Sequence, residues 1–278
     1  MDNKYGLNEE LLDKLTKLQN VIRGYGSLAV GFSGGVDSAL LLAVAAEVLG
    51  DKAIAVTEAD PAVPKREVKE AEDFCKERGI RHFFCQSDPF KEEGYRHNSK
   101  DRCYFCKRGI FIEIKKIAQE NGIEYVAEGS NMDDLGDYRP GLRAVEELEV
   151  KSPLREAGLY KQDIRLISKA MGLPTWSKPA YACLASRFVY GEEITPEKLD
   201  MIDRAEQVLI EHGFLEERVR LHGENLARIE VPAKDIMRLS ADGVREEIYE
   251  ELKKIGFMFV TIDMKGYKVG SMNATIGK

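Results

Sequence analysis

Ser33-Gly34-Gly35-Val36-Asp37-Ser38 lies between a short apolar run, Ser27 to Phe32, and an Ala- and Leu-rich run, Ala39 to Leu49. The pattern reads as strand, tight loop, helix. A glycine pair at that junction lets the backbone approach a ligand, and the helix amino terminus offers unpaired N–H groups to an anion. Ser33, Gly34, Gly35 and Ser38 are therefore placed to bind phosphates, and Asp37 suits a magnesium ion bridging them, since that cation takes oxygen ligands. No lysine stands where G-x-x-x-x-G-K-[ST] requires one, so the loop is not of the Walker type. The competing reading is a Gly-rich turn ending in an Asp helix cap. The loop's position after the first strand argues against it.

Cys103-Tyr104-Phe105-Cys106 puts two thiols at a predicted helix start, where the dipole and the neighbours Arg102 and Lys107 favour thiolates. Cys183, in Tyr181-Ala182-Cys183-Leu184-Ala185-Ser186-Arg187, can supply a third ligand. Three cysteines leave one iron of a [4Fe-4S] cube open to sulfide or substrate. A zinc site needs a fourth protein ligand, for which His97 is nearest in sequence. Two packing thiols at a helix start is the plain alternative. Cys75 and Cys85 sit in apolar-periodic segments and read as core. Five cysteines is an odd number, and such spacing points to metal binding or catalysis more than to disulfides.

Glu128-Gly129-Ser130-Asn131-Met132-Asp133-Asp134 follows another predicted strand, where parallel sheets hold ligands, so Gly129 and Asn131 are candidates for the same nucleotide site. Arg139 and Arg143 follow, and either planar fork suits a phosphate. Arg218 and Arg220 alternate along a predicted strand and share a face, where Arg187, with Ser186 beside it, can join them if the cysteine segment folds back. Glu206 and Glu230 are candidates to position a substrate or a second cation.

The elements that position these residues alternate. Helix Leu7 to Arg23, strand Ser27 to Phe32, helix Ala39 to Leu49, strand Ala53 to Thr57, helix Lys65 to Arg78, strand Ile80 to Cys85, helix Cys103 to Gln119 and strand Tyr125 to Ala127 predict an α/β fold with a doubly wound parallel sheet. Gly172 to Glu193 has weak periodicity and separates that pattern from helix Pro196 to His212, strands Val219 to His222 and Ala227 to Val231, helical turns through Lys254, and a strand pair, Met258 to Asp263 and Tyr267 to Val269. That order predicts a smaller α+β domain of split βαβ character. The 278 residues accommodate two such domains, 1–175 and 176–278.

A net charge of -7 argues against a nucleic-acid partner. No apolar run approaches the roughly 20 residues of a membrane span, and Met1 to Glu10 lacks a signal pattern, which places the chain in the cytoplasm without a membrane partner. We expect it to work as a homo-oligomer on a small molecule.

Ser33-Gly34-Gly35-Val36-Asp37-Ser38 resembles the SGGxDS loop of the PP-loop ATP pyrophosphatases, and Glu128 to Asp134 resembles the corresponding segment of their sulfur-inserting members. Ala182 to Arg187 with Tyr190-Gly191-Glu192, together with Arg218 to Gly223 and Ala227 to Glu230, resembles the LarE family over nearly the whole chain. The resemblance implies an adenine nucleotide alpha hydrolase-like fold and an ATP- and Mg2+-dependent sulfur transferase. Such an enzyme adenylates a carboxylate of pyridinium-3,5-biscarboxylate mononucleotide and makes a thiocarboxylate for a nickel-pincer cofactor. It implies ATP contacts from Ser33, Gly34, Gly35, Asp37, Ser38, Gly129, Asn131 and Arg143. It implies mononucleotide contacts from Ser186, Arg187, Glu206, Arg218, Arg220 and Glu230, with Cys183 and Asp37 catalytic. In single-cysteine members the loop cysteine gives up its own sulfur. Here Cys103 and Cys106 are added, so the sequence is similar to the subgroup in which these two and Cys183 hold a [4Fe-4S] cluster carrying a labile sulfide. Two alternatives remain, a tRNA-thiolating enzyme of the same superfamily and a sacrificial Cys183 without a cluster. A nucleotide-binding or zinc-stapled module without turnover is a third and separate class.

Overall fold

The computed structural model describes residues 3–135, 140–179 and 182–268. The chain forms two compact units, Met1–Pro89 with Cys103–Tyr181, and Phe90–Arg102 with Ala182–Lys278. In chain order the elements are α1 (Glu9–Tyr25), β1 (Leu28–Gly31), α2 (Val36–Leu49), β2 (Ala53–Glu58), α3 (Lys65–Glu77), β3 (Arg81–Cys85), α4 (Glu93–Arg96), α5 (Arg102–Glu120), β4 (Tyr125–Ala127), α6 (Pro140–Glu147), α7 (Pro153–Glu156), α8 (Lys161–Ala170), α9 (Pro196–Glu211), β5 (Arg218–His222), β6 (Leu226–Glu230), α10 (Ile236–Leu239), α11 (Val244–Ile255) and β7 (Phe259–Ile262).

In the first unit the sheet order is β3-β2-β1-β4, all parallel. Leu28, Ala29 and Val30 of β1 are all buried, because successive side chains meet different helical layers. Leu28, Val30, Ala53 and Ala55 pack with residues of α1, α2, α3 and α8. Ala29, Ile54 and Val56 pack with Phe111 and Ile114 of α5 and Val145 of α6. Helices on both faces make the sheet doubly wound. Since β2 and β4 flank β1 on opposite sides, the loops after β1 and β4 meet at the switch point of the strand order, where open α/β sheets bind ligands. Among the described residues no helix is long and apolar enough to cross a membrane.

In the second unit β5 pairs antiparallel with β6, and β6 pairs parallel with β7. Val219, Leu221, Ala227 and Ile229 are buried on one face, and α9 and α11 pack on each other and against the sheet. The register Arg218↔Glu230 and Arg220↔Arg228 puts the charged residues together on the other face. Asn98 ties the excursion Phe90–Arg102 to the chain leaving the cysteine loop, donating through Nδ2 to the Val189 carbonyl at 2.7 Å and accepting from Gly191 N–H at 3.2 Å.

Two local expectations change. The βαβ unit is not split, because β7 lies directly beside β6 with no strand between. The expected second member of the last strand pair does not form: Tyr267 and Lys268 lie outside any strand, although Tyr267 N–H donates to Val231 O at 2.8 Å. Val269 lies outside the described residues.

Candidate active site

The loop after β1 starts its helix earlier than hydrophobic periodicity suggests. Gly35 is the N-cap residue and Val36 the first helical one, so Asp37 is not the cap. Gly34 adopts φ 69°, a left-handed conformation that favours glycine. Ser38 Oγ accepts from Ser33 N–H at 3.3 Å, lies 3.1 Å from Ser33 Oγ and donates to Gly35 O at 3.2 Å, closing the loop around the amino terminus of α2. Ser33 stays exposed.

The loop after β4 closes against it. A Cβ on Gly129 would lie 3.0 Å from Ser38 N and 3.2 Å from Asp37 Cβ, so the two loops approach as closely as a glycine permits. Asn131 Nδ2 donates to Asp37 Oδ1 at 3.1 Å, while Asn131 Oδ1 accepts from Asp133 N–H at 2.9 Å. Asp134 in turn accepts from Asn131 N–H at 2.9 Å. Lys161, the first residue of α8, pairs through Nζ with Asp37 Oδ2. Lys178 Nζ donates to Gly34 O at 3.2 Å and to Glu67 and Glu70, each at 2.6 Å. Backbone donors, the Asp37 carboxylate and two ammonium groups, one of them shared with Glu67 and Glu70, thus surround one loop, an arrangement suited to a polyphosphate with its cation.

On the opposite helical layer, Lys107 Nζ lies 3.6 Å from the buried carboxylate of Glu128, which accepts from Ser130 N–H, Ser130 Oγ and Ser152 Oγ at 3.0, 2.7 and 2.8 Å. Cys103 and Cys106 are the second and fifth residues of α5, exposed and half-buried respectively. Arg143 stacks over the Tyr104 ring between them in sequence, 3.8 Å from its centroid.

In the second unit Cys183 is exposed, immediately before the 3-10 turn Leu184–Arg187. Arg187 is fully buried and forks onto Glu206 of α9, with Nε–Oε1 2.7 Å and Nη2–Oε2 3.1 Å. Burial alone would push the Glu206 carboxyl up, but Arg187, then Arg218 and the Val219 N–H, hold it below the ordinary carboxylate range. Arg220 reaches Glu230 Oε2 through Nε at 3.0 Å and Nη2 at 2.8 Å. Arg218 stacks over Tyr267 at 4.8 Å. Burial, and then the Arg187 cation, lower its pKa.

A family model described as NAD synthase matches residues 10–102. An uncharacterised protein of Synechocystis sp. is 41% identical over 95% of this chain and 99% of its own length. The pyridinium-3,5-bisthiocarboxylic acid mononucleotide synthase of Lactiplantibacillus plantarum is 33% identical over 96% of each chain. The chain belongs to the LarE family. It is an ATP-using sulfurtransferase of the PP-loop type.

Within this LarE-family chain, Ser33, Gly34, Gly35, Asp37, Ser38, Gly129 and Asn131 converge on one loop pair, and Ser186, Arg187, Glu206, Arg218, Arg220 and Glu230 lie together in the second unit. Arg143 is held by Tyr104. The two lysines at the phosphate loop were not visible in the sequence. Lys161 and Lys178 are 124 and 144 residues from their loop partners, and no local spacing marks them.

Two predictions arise here. Gly129→Ala is expected to weaken ATP binding about tenfold, because its methyl must push the Ser38 N–H and Asp37 out of line; nucleotide titration by calorimetry checks this. Burial raises the thiols of Cys75 and Cys85 to about 12. Alkylation of the native protein at neutral pH should therefore mark Cys103 and Cys183 first and Cys106 more slowly, with Cys75 and Cys85 reacting only on unfolding, as peptide mass spectrometry can read.

Proposed function

We propose that the chain transfers the adenylyl group of ATP to a carboxylate of pyridinium-3,5-biscarboxylate mononucleotide and then exchanges an oxygen for sulfur, giving a thiocarboxylate for nickel-pincer cofactor synthesis. The observation that carries this is the closure of the Gly129 loop on the phosphate loop, with Asp37 held between Asn131 and Lys161. The L. plantarum relative, matched over nearly its full length, supports the substrate. A carboxylate oxygen attacks the α-phosphorus as the bond to the β-phosphate oxygen breaks, releasing pyrophosphate. A sulfur nucleophile then adds to the acyl carbon, and AMP departs with the former carboxylate oxygen.

The oxygen donors of Asp37 fit a hard cation such as Mg2+, which would neutralise phosphate charge. For sulfur, Cys183 is the exposed thiol on the loop, and Cys103 and Cys106 complete a three-thiolate donor set of the kind that binds iron–sulfur clusters. Their chemistry fits. Among the described residues no three potential ligands stand grouped for a metal, so no step is derived through a cluster. When bound, a [4Fe-4S] cluster would supply an open iron able to carry sulfide.

AMP formation with Mg2+ and the dicarboxylate mononucleotide tests the reading, and its absence would sink it. Iron and acid-labile sulfide on protein purified without oxygen test the sulfur source. About four irons per chain, lost in Cys106→Ser, favour the cluster; no iron after anaerobic reconstitution favours sulfur from Cys183 itself.

A further inference from the structure

Four carbonyl oxygens in the cysteine loop are each held by a buried arginine. Arg187 Nη1 donates to Ala182 O at 3.1 Å and Cys183 O at 3.4 Å, and also to Ser186 Oγ at 2.8 Å. Arg102 Nη1 donates to Ala185 O at 3.0 Å, and Arg220 Nη1 to Ser186 O at 3.2 Å. The relative exposures of Arg187, Arg102 and Arg220 are 0%, 7% and 5%.

Arg187 and Arg220 are anchored on their other side, and Arg102 Nη1 bridges its two acceptors. Arg187 rests on Glu206, whose Oε1 also accepts from Val219 N–H at 3.1 Å and so ties the loop to β5. Arg220 rests on Glu230, and Arg102 on Asn98, itself bonded to Phe188 O and Val189 O. A fork fixed at one end and donating at the other sets where the accepting carbonyl points, and with it the direction of the neighbouring side chain. Charge-assisted hydrogen bonds in buried surroundings are among the stronger ones available for this purpose.

We propose that Arg102, Arg187 and Arg220 are positioning residues that clamp the backbone from Ala182 to Ser186 and aim the Cys183 thiol, with Arg187 acting through Cys183 and not as a ligand of the substrate phosphate. The clamp grips only backbone oxygens and Ser186, so it leaves the sulfur of Cys183 outside its hydrogen bonds and persists whatever becomes of that sulfur. The inference rests on the proposed sulfur transfer for its consequence, while its geometry stands apart from that reading.

The test compares wild type with Arg187→Lys and Arg102→Lys in the full chain. Lysine keeps the charge beside Glu206 and loses the fork. Hydrogen exchange of peptides covering 182–189 should accelerate about tenfold in each variant, as expected when a charge-assisted hydrogen bond is lost. Mononucleotide half-saturation for pyrophosphate release should stay within about threefold, and thiocarboxylate formed per pyrophosphate should fall about tenfold or more. Unchanged exchange in both variants overturns the clamp. A raised half-saturation with unchanged exchange overturns it too, and makes Arg187 a substrate ligand. If Arg187→Lys does not fold, Arg102→Lys decides by the same readouts. If wild-type enzyme forms no AMP, the proposed function fails, and the exchange data still decide the clamp.

Discussion

Replacing Asp37 with asparagine is expected to lower mononucleotide-dependent AMP formation by about a hundredfold to a thousandfold, the usual loss when one preorganised electrostatic group is removed from a reacting centre. Asp37 sits at the second position of α2, where an acidic side chain facing polyphosphate would repel it unless a cation intervened. Its two oxygens are oriented by Asn131 and Lys161, which fixes the carboxylate at the amino terminus of α2. The amide keeps the shape and the Asn131 contact but removes the charge. Stability should change little, because the Lys161 pair is partly exposed and worth about 0–1 kcal/mol. Thermal melting separates the two effects. A variant with near wild-type AMP formation would reduce Asp37 to a loop-shaping residue.

The second large effect is expected at Cys183. Cys183→Ser should abolish thiocarboxylate formation, by about a thousandfold or more, while pyrophosphate release on forming the acyl-adenylate continues. In the proposed reading adenylation falls to the loops after β1 and β4, whereas Cys183 immediately precedes the 3-10 turn of the second unit, so the two half-reactions would use separate elements. Oxygen in place of sulfur removes either the donor atom or one of the three thiolates of a cluster. Product analysis against pyrophosphate release in the same reaction reads the split. Loss of both together would mean that Cys183 is needed for substrate binding. In Cys103→Ser and Cys106→Ser, retained single-turnover sulfur transfer would identify Cys183 as the donor, and its loss together with iron would identify a cluster.

Where a short pattern determines local structure, the sequence was informative. Strand Tyr125–Ala127 was read to the residue, and the alternation of Arg218 and Arg220 correctly placed both on one sheet face. Helix α2 begins three residues before its apolar run, since Gly35 caps it and the helical period appears only once side chains reach the core. Long-range charge pairing was not legible. Arg187 and Glu206 are 19 residues apart on a turn and a helix, and nothing in either segment announces the other. The same holds for Lys161 and Asp37. The charged face of β5 and β6 was legible, whereas the carboxylates and loop carbonyls on which Arg187 and Arg220 rest appear only when the fold brings them together.

The most direct measurement of the central claim is the mass of the mononucleotide after incubation with the enzyme, ATP and Mg2+, alongside AMP in the same sample. The account predicts a product in which sulfur has replaced carboxylate oxygen, one AMP accompanying each exchange. AMP release with a mononucleotide of unchanged mass, or sulfur incorporation that does not require ATP, would contradict it.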